Sequence, residues 1–301
     1  MAKLLKKKTI FLTGGSGFIG RNILLSKLNN EYNILAPDHS QLDLTNDDQL
    51  EQFFKNHEID TVIHAACKPG HRNAQDCSGI FYTNTRMFLN LARFAQYYKK
   101  MIITGSGAIY DSRFYKPKMK EDYFGQHLPD DEHGLSSYVK GRYIEQTTEN
   151  IYDLRIFGIF GPYEDYAIRF ISNAICKTLF HLPITIKQNR KFDYIFIDDL
   201  MTVLKYFIEN KPKYKSYNVT PDKSIELAEI AAKIKHIAKK NVQIKIAKGG
   251  LGPEYSGNND RLKKEMPSLH FTSIDEGISK LYNWYSERKA DLKKELLETD
   301  K

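Results

Sequence analysis

Three glycines at three-residue spacing follow a short apolar segment near the start of the chain. Gly14, Gly17 and Gly20 stand directly after Thr9–Thr13, a run rich in β-branched and apolar residues. The residues that follow have the apolar spacing of a helix, so the segment predicts a strand, a tight turn and a helix N-terminus. Unpaired amides at such a terminus attract phosphate oxygens, and glycines let the backbone approach them. The turn therefore predicts a site for the pyrophosphate of a nicotinamide dinucleotide.

Each glycine has its own expected task in this turn. Gly14 permits the tight turn, Gly17 lets the backbone approach the pyrophosphate, and Gly20 allows close packing of the helix on the strand. The residues of the turn that we expect at the dinucleotide are Gly14, Ser16, Gly17, Phe18, Ile19 and Gly20.

Two carboxylates follow the second predicted strand, Tyr32–Ala36. Asp38 is expected either to accept a hydrogen bond from a ribose hydroxyl, which favours NAD, or to be an exposed turn residue. Its neighbour His39 is the alternative partner for a 2′-phosphate, so the cofactor is NAD or NADP. Asp43, followed by Leu44, is expected to reach the adenine amino group.

Short apolar strands alternate with helices over the first part of the chain. Further strands are predicted at Thr61–Ala65, Met101–Thr104 and Leu154–Phe160, and helices at Asp47–Asn56, Phe81–Tyr98, Ser136–Asn150 and Asp165–Leu179. This alternation predicts an α/β fold, a Rossmann-like doubly wound parallel sheet. We expect a dinucleotide-binding domain at 1–181, with its core at 9–161. Residues 182–301 are expected to form a smaller, mainly substrate-binding α/β subdomain interleaved with the first.

Composition excludes several other classes of protein. The 301 residues are 41% hydrophobic and 27% charged, which is typical of an ordered protein with a large core. The formal net charge is +8, but no nucleic-acid-binding motif accompanies it, so no nucleic-acid partner is expected. The absence of long apolar runs predicts a cytoplasmic protein with no membrane partner. Cys67, Cys77 and Cys176 are odd in number and lack metal-ligand spacing, so we expect neither a metal site nor a disulfide.

Further segments, from about Thr9 to Tyr285, resemble the motifs of one family in the order of that family. The matching segments are Thr13 to Gly20, Val62 to Ala66, Asn84, Gly105 to Tyr110, Leu154 to Pro162 and Asp193 to Asp199. They resemble the extended short-chain dehydrogenase/reductase family of nucleotide-sugar epimerases, dehydratases and reductases. The resemblance implies that Ala65, Ala66 and Asn84 also bind the cofactor, and that Ser106 bonds the reacting sugar oxygen.

This family carries a tyrosine and, four residues later, a lysine. The tyrosine moves a proton on the sugar oxygen, and the nearby cation shifts the phenol toward its ionised form. One alignment of this chain puts His133 in the place of the tyrosine and Ser137 in that of the lysine. A second alignment uses Tyr138 and Arg142, but it leaves only about a dozen residues before the strand at Leu154 for a long helix. The first alignment is favoured.

The resemblance also bears on the reaction. Gly107 and Ala108 stand where 4,6-dehydratases of this family carry an acidic pair, which disfavours that reaction. Oxidation, reduction or epimerisation at C4 of a nucleotide sugar, in surface-polysaccharide sugar synthesis, is the expected activity. Because Ser137 supplies no charge, the alternative is a catalytically impaired homologue that binds NAD(P) and a nucleotide sugar as a regulatory or partner subunit.

The resemblance further implies where the substrate and a second subunit bind. The expected substrate-binding residues are Arg169, Lys187, Lys191, Tyr194 and Arg261, where cations meet an anionic diphosphate and an aromatic ring stacks on a base. A homodimer through the helices Phe81–Tyr98 and Ser136–Asn150 is usual in the family. The apolar stripes of these helices are equally compatible with a place in the core.

Overall fold

The computed structural model describes residues 6–70, 76 and 78–298 of the chain, so Cys77 lies outside the described residues. The strands are β1 (Thr9–Thr13), β2 (Asn33–Leu35), β3 (Ile59–His64), β4 (Tyr98–Ser106), β5 (Ile151–Ile156), β6 (Gly158–Phe160), β7 (Ile184–Asn189), β8 (Lys191–Phe192), β9 (Tyr194–Phe196), β10 (Ser216–Val219), β11 (Ile225–Glu226) and β12 (Ile244–Leu251). The α-helices are α1 (Phe18–Leu25), α2 (Leu28–Glu31), α3 (Asp47–Asn56), α4 (Ile80–Arg93), α5 (Glu132–Gln146), α6 (Phe170–Leu179), α7 (Ile197–Glu209), α8 (Leu227–Ala238), α9 (Asp260–Glu265), α10 (Ile274–Glu287) and α11 (Glu295–Glu298).

Strands β1 to β5 from the first half of the chain form a six-stranded sheet together with β10. Its strand order is β10-β5-β4-β3-β1-β2, and the pairings of β1 with β2 and β3, of β3 with β4 and of β4 with β5 are parallel. All five residues of β1 are buried, as expected for a strand covered on both faces. The expected α/β fold with a doubly wound parallel sheet is confirmed.

Aromatic and aliphatic side chains from α3 and α4 cover this sheet. Phe54 on α3 packs against Phe11 of β1 at 5.8 Å between ring centroids, and against Phe94 at 5.6 Å. Asn46 caps α3 by accepting the N–H of Gln49, which sets where the helix begins. The sheet and these helices thus form one apolar core that fixes the ends of β1, β3 and β4.

Helix α5 begins four residues earlier than the predicted Ser136–Asn150. The Asp131 carboxylate accepts the N–H of Gly134 and caps the helix, a signal that a search for the catalytic pair overlooks. In the first turn, Glu132 accepts the N–H of Ile80 at the start of α4. The side chain therefore also ties the beginnings of α4 and α5 together.

The predicted strand Leu154–Phe160 is two strands. β5 belongs to the six-stranded sheet, whereas β6 pairs in parallel with β9. The break at Phe157 is also where the chain passes from one compact unit to the other. The first unit comprises residues 1–114, 121–156 and 201–217, and the second 115–120, 157–200 and 218–301. Each unit is thus assembled from three separate stretches of the chain, and one passage between the units lies near residue 157.

The second unit contains small sheets and helices. β7 pairs with β12 in parallel, and β8 with β11 antiparallel. Its most deeply buried carboxylate is that of Asp193, which accepts hydrogen bonds from Thr220, from the N–H of Gly257 and from the Lys118 ammonium. Over the residues that are described, no helix has both the length and the apolar composition needed to cross a membrane.

Arg155 on β5 is the largest fully buried side chain of the first unit, with none of its surface exposed. Its guanidinium donates to Asp153 Oδ2 at 2.9 Å and to the Tyr110 hydroxyl at 3.1 Å, and lies 3.5 Å from Glu145. The ring of Phe124 lies 4.6 Å below it, a cation–π distance. The burial of this charge is thus offset on every side by partners from β5, α5 and the loop before α5.

We expect Arg155→Met to lower the free energy of unfolding by about 3–5 kcal/mol, because it leaves Asp153 buried without its ion-pair partner. Urea denaturation followed by circular dichroism measures this. Arg142→Met is the matched control, since Arg142 is an exposed arginine near the same Glu145 and should cost about 1 kcal/mol or less. Equal losses of unfolding free energy in the two variants would contradict a stabilising role for the buried Arg155–Asp153 ion pair.

Candidate functional site

The glycine turn has three different geometric constraints. Gly14 has φ +73°, and a Cβ there would lie 2.7 Å from the backbone nitrogen of Ala66. A Cβ on Gly20 would lie 2.1 Å from the carbonyl oxygen of Gly14. Gly17 is different, because a Cβ there would meet only the Gly14 oxygen, at an ordinary contact distance of 3.4 Å. None of the residues that the structure describes excludes a side chain at Gly17, which leaves the approach of a ligand as the reason for glycine.

The N-terminus of α1 opens toward this turn. Gly17 is its N-cap and provides no side-chain acceptor, so no side chain caps the first amides of the helix. Ser16 and Gly17 are exposed, Phe18 and Ile19 are partly buried, and Gly20 is buried. The arrangement fits the phosphate groups of a dinucleotide.

Thr13 joins the carboxyl ends of β1 and β3. Its Oγ1 accepts the N–H of Ala66 and forms a 2.8 Å hydrogen bond with His64 Nδ1, while its carbonyl accepts the N–H of Ala65. Burial, together with the positive charge of Lys140, lowers the pKa of His64 to about 3. His64 is therefore a neutral structural residue that holds Ala65 and Ala66 beside the glycine turn.

A cleft of about 510 Å³ lies over these strand ends. It is lined by Thr13 to Gly17, by Pro37 to His39, by Leu42 to Thr45, by Ala65 to Lys68, and by Phe11, Thr83 and Met87. The expected residues Asp38, His39, Asp43, Leu44, Ala65 and Ala66 are all on this lining. The volume is that of an ordinary ligand site, and its two ends match the phosphate and adenosine ends of a dinucleotide.

The two carboxylates of the cleft also serve local turns. Asp38 Oδ1 accepts the Ser40 hydroxyl and the N–H groups of Ser40 and Gln41, and these bonds lower the pKa of Asp38. Asp43 Oδ1 accepts both the N–H and the hydroxyl of Thr45. Burial works against ionisation of Asp43, but the bonds from Thr45 outweigh it and its pKa is lowered. Both groups are thus held ionised as acceptors, and each has its second oxygen outside these turns.

Asn84 contacts the loop that follows β3. It accepts the N–H of Lys68 at 2.7 Å and donates to the Lys68 carbonyl at 3.2 Å, and it is buried. The amide therefore acts on the cleft through the backbone beside it.

The expected catalytic residues lie at the contact between β4 and α5. Ser106 ends β4, and its Oγ accepts the N–H of Ala108. The carbonyl of Ala108 is 3.0 Å from the position of a Cβ on Gly134, so the first turn of α5 lies directly against this segment. His133, the residue before Gly134, is partly exposed there. Ser137 is buried one turn further along α5.

Tyr138 and Arg142 face a different neighbour. The Tyr138 ring lies 5.0 Å from that of Phe124, and the Arg142 guanidinium lies 5.8 Å from the same ring and 3.8 Å from Glu145. More than half of the Arg142 side chain is exposed. The second alignment therefore pairs two residues that pack on the segment before α5.

Lys140 was not among the expected site residues. It lies on α5 four residues after Ser136, which is fully buried and donates to the His133 carbonyl. Burial lowers the pKa of Lys140, whereas the charges of Cys67 and Asp153 act to raise it. Cys67 is on the cleft lining, so the ammonium is close to the cleft. The available sequence signal was a helix that carries one lysine, with a serine four residues earlier.

In the second unit, three of the charged and aromatic residues interact. Glu164 is buried, accepts the Ser172 hydroxyl at 2.6 Å and lies within electrostatic range of Arg169 and Tyr194. Burial raises the pKa of Glu164 to about 8. The same cluster includes Arg190, which the sequence motifs did not indicate and which acts on Tyr194.

The other expected substrate residues lie on separate elements. Lys187 is exposed on β7, Lys191 is exposed on β8, and Arg261 is partly buried on α9. Across residues 6–70, 76 and 78–298, no group of three or more metal-ligating side chains comes together.

Comparison with known proteins gives a family match. The model of the NAD dependent epimerase/dehydratase family matches residues 10–220. That range includes the glycine turn, the cleft, α5 and the Glu164 cluster.

Individual relatives cover nearly the whole chain at low identity. The GDP-L-fucose synthase of Sinorhizobium fredii is 23% identical over 310 residues, covering 96% of this chain and 98% of that protein. The ADP-L-glycero-D-manno-heptose-6-epimerase of Brachyspira hyodysenteriae is 24% identical, covering 76% and 81%. Among solved structures, a GDP-mannoheptose C4 reductase of Campylobacter jejuni with NADP bound has a TM-score of 0.80 at 18% identity, covering 94% and 100%. This last likeness shows that the fold is shared.

Gly17→Ala and Gly20→Ala separate ligand binding from folding. We expect Gly17→Ala to unfold like the wild type but to bind NAD and NADP at least about tenfold more weakly, because its methyl group fills the approach to the phosphates. Gly20→Ala should lower the melting temperature, because its methyl group collides with the Gly14 carbonyl. Calorimetric titration and thermal melts measure the two effects. Wild-type affinity in a folded Gly17→Ala protein would sink the placement of the phosphates.

Glu164 makes the stability of the protein depend on pH. The folded state retains this proton up to about pH 8, whereas an unfolded chain releases it near pH 4.5. The contribution of Glu164 therefore becomes less favourable as pH rises from about 4.5 to 8, by on the order of a few kcal/mol. Relative to wild type, Glu164→Gln should gain stability over that window in denaturation series at several pH values. Glu229→Gln, which changes an exposed glutamate of α8, should follow the wild type.

Proposed function

Because the chain belongs to the NAD-dependent epimerase/dehydratase family, we propose that it is an NAD(P)-dependent nucleotide-sugar enzyme that oxidises, reduces or epimerises the sugar at C4. The observation that supports this proposal is that the end of β4, the first turn of α5 and the cleft adjoin one another, since Ala108 lies against Gly134 and Lys140 interacts with Cys67 of the cleft. We assign the chemistry to three side chains of these segments. These are the Ser106 hydroxyl, the His133 imidazole and the Lys140 ammonium, near a cleft that fits the family's cofactor.

His133 and Ser106 have different roles at the reacting sugar oxygen in this proposal. When bound, the nicotinamide exchanges a hydride with the sugar carbon, and the attached oxygen must then gain or lose a proton. We assign that proton to His133, the ionisable group in the first turn of α5 beside Ala108. Ser106 holds the oxygen by a hydrogen bond, as its place at the end of β4 allows.

Lys140 takes the role of the family's lysine in this proposal. Its ammonium lies near Cys67 on the cleft lining, where it is suited to hold the hydroxyls of a ribose. Ser136 then occupies the place of the family's tyrosine, four residues earlier. This assignment replaces the two alignments with Ser137 and Arg142, neither of which uses the lysine of the helix.

The proposed substrate is a nucleotide-linked sugar. The S. fredii relative is a GDP-L-fucose synthase and the C. jejuni protein is a GDP-mannoheptose C4 reductase, so both carry names of nucleotide-sugar enzymes. Arg169 and Arg190 are the cations that act on Tyr194, and they suit a diphosphate beside a base. The relatives do not favour the alternative of a non-catalytic subunit. A role in surface-polysaccharide synthesis and a cytoplasmic location remain predictions.

A homodimer is the proposed assembly. On α4, Tyr82 and Leu89 are exposed at a spacing of seven residues, with Tyr82 68% exposed, and so form one apolar stripe on the outer face. The helix packs on α5 with its other face. Light scattering should give a dimer for the wild type and a monomer for Tyr82→Glu, while a monomeric wild type would rule the dimer out.

Activity assays on four variants distinguish the alignments of α5. With NAD(P)H and 4-keto nucleotide sugars, or NAD(P) and 4-hydroxy nucleotide sugars, turnover should fall about 100-fold or more in Lys140→Met and His133→Asn. Net oxidation or reduction is followed at 340 nm, and epimerisation by chromatography of the nucleotide sugar. Ser137→Ala and Arg142→Gln, which change neighbouring α5 residues, should stay within a few-fold of wild type. A large loss in Ser137→Ala would return the assignment to the first alignment. No turnover with any nucleotide sugar would reject the proposed reaction.

A further inference from the structure

Asp153 is a buried carboxylate on the central strand β5, with only 2% of its surface exposed. Its Oδ2 accepts the Arg155 guanidinium at 2.9 Å. Its Oδ1 is buried and has no hydrogen-bond donor among the described residues. An unpaired carboxylate oxygen in such a place is costly unless an opposite charge faces it.

Gly105 makes room for this oxygen. A Cβ at Gly105 would lie 2.0 Å from Asp153 Oδ1, although the backbone there has no positive φ that would itself require glycine. The carboxylate is thus pressed against the end of β4, one residue before Ser106. A glycine at 105 and an aspartate at 153 are needed together.

Lys140 faces the same place from α5. Its ammonium forms no hydrogen bond or close ion pair with any described residue, and the ionisable groups that act on it are Cys67, Asp153 and His64. Asp153 also binds Arg155, which in turn donates to Tyr110 of the short helix packed on α5. Of these groups, Asp153 is the carboxylate. The Lys140 ammonium is therefore the cation that faces Asp153 Oδ1. The two groups are farther apart than a direct ion pair, at a separation that a water molecule can bridge.

We propose that Asp153 is a positioning residue for Lys140, whose buried carboxylate keeps the ammonium charged and holds it at the edge of the cleft. The inference rests on the proposed function, because it supplies the charge that Lys140 brings to the cofactor. Arg155 orients the carboxylate through Oδ2 and leaves Oδ1 for Lys140.

Burial and Asp153 act on Lys140 in opposite directions. Burial favours the neutral amine and so lowers the pKa of Lys140, and the Asp153 charge offsets part of that effect. Removing the carboxylate should therefore lower the lysine pKa further. A lysine that has lost its proton no longer supplies a positive charge to the cleft.

Competitive labelling with trace acetic anhydride, read by tandem mass spectrometry at Lys140, tests this in the protein without added ligand. In the wild type, Lys140 should titrate below the exposed lysines. In Asp153→Asn its pKa should fall by about one further unit, which is a tenfold rise in reactivity at neutral pH. Glu145→Gln is the control, because Glu145 also contacts Arg155 but does not act on Lys140. An unchanged pKa in Asp153→Asn, or an equal shift in the control, overturns the proposal.

A second measurement covers the case in which Asp153→Asn does not fold. Lys140→Met removes the positive charge that faces Oδ1 of the buried carboxylate, while Arg155 still binds Oδ2, so the variant should melt several degrees below the wild type at pH 7, on the order of 3–5 °C. The difference should shrink as the pH falls to about 4, where carboxylates take up protons. A difference that does not depend on pH would mean that Lys140 only packs, and would overturn the proposal.

Protection by the cofactor tests the proposed function separately. NAD or NADP should slow the labelling of Lys140 and of the Cys67 thiol. If neither dinucleotide protects them while Asp153→Asn still shifts Lys140, the cofactor placement fails and the Asp153–Lys140 pair stands. If the dinucleotides protect Lys140 and Cys67 but Asp153→Asn does not shift the pKa of Lys140, the cofactor placement stands and the Asp153–Lys140 pair fails.

Discussion

The close approach of two backbones at the carboxyl ends of β1 and β3 governs the first unit. Gly14 comes so near to Ala66 that no side chain fits between them, and Thr13 bonds across the same gap. This contact fixes the turn before α1 and the loop after β3 in one geometry. The amides of α1 and the backbone around Cys67 thereby form opposite walls of the same cleft. The positions of the other residues that line the cleft depend on this approach of Gly14 to Ala66.

Three buried ionisable side chains of the first unit, His64, Arg155 and Lys140, differ in how their charge is set. His64 is kept neutral by burial and serves as a hydrogen-bonding residue for Thr13. Arg155 keeps its charge because Asp153, Tyr110 and Glu145 surround it. Lys140 lies between these cases, since it is buried enough to lose affinity for its proton and close enough to a carboxylate to recover part of it. Its charge is thus set by a residue that no ligand needs to touch.

Local patterns predicted what depends on local geometry. The spacing of Gly14, Gly17 and Gly20 indicated the strand, turn and helix, the alternation of apolar strands with helices indicated the sheet, and the motifs indicated the family. Both the fold and the family are confirmed. The facing of α5 could not be derived in this way, because it is set by packing of Gly134 on Ala108. The family pattern requires a tyrosine four residues before the lysine. The residue four positions before Lys140 is a serine, so the pattern did not indicate Lys140.

The passage from one compact unit to the other near residue 157 has a related physical basis. A continuous apolar run from Leu154 to Phe160 has the composition of one strand, and only pairing partners show that it is divided. Gly158 marks the division, because a Cβ there would lie 2.2 Å from the carbonyl oxygen of Asp193 on the neighbouring segment. Such an approach is a property of tertiary structure, and no spacing along the chain encodes it.

Exchanging a phenol for an imidazole changes what the lysine has to do. Phenols ordinarily titrate near pH 10, so a tyrosine acid–base group needs a nearby cation to reach neutrality. Histidine side chains ordinarily titrate near neutrality and need no such help. With His133 as the proton-transfer group, the remaining task for Lys140 is to bind, and a binding ammonium must stay charged. A nearby carboxylate, as Asp153 is, serves that requirement.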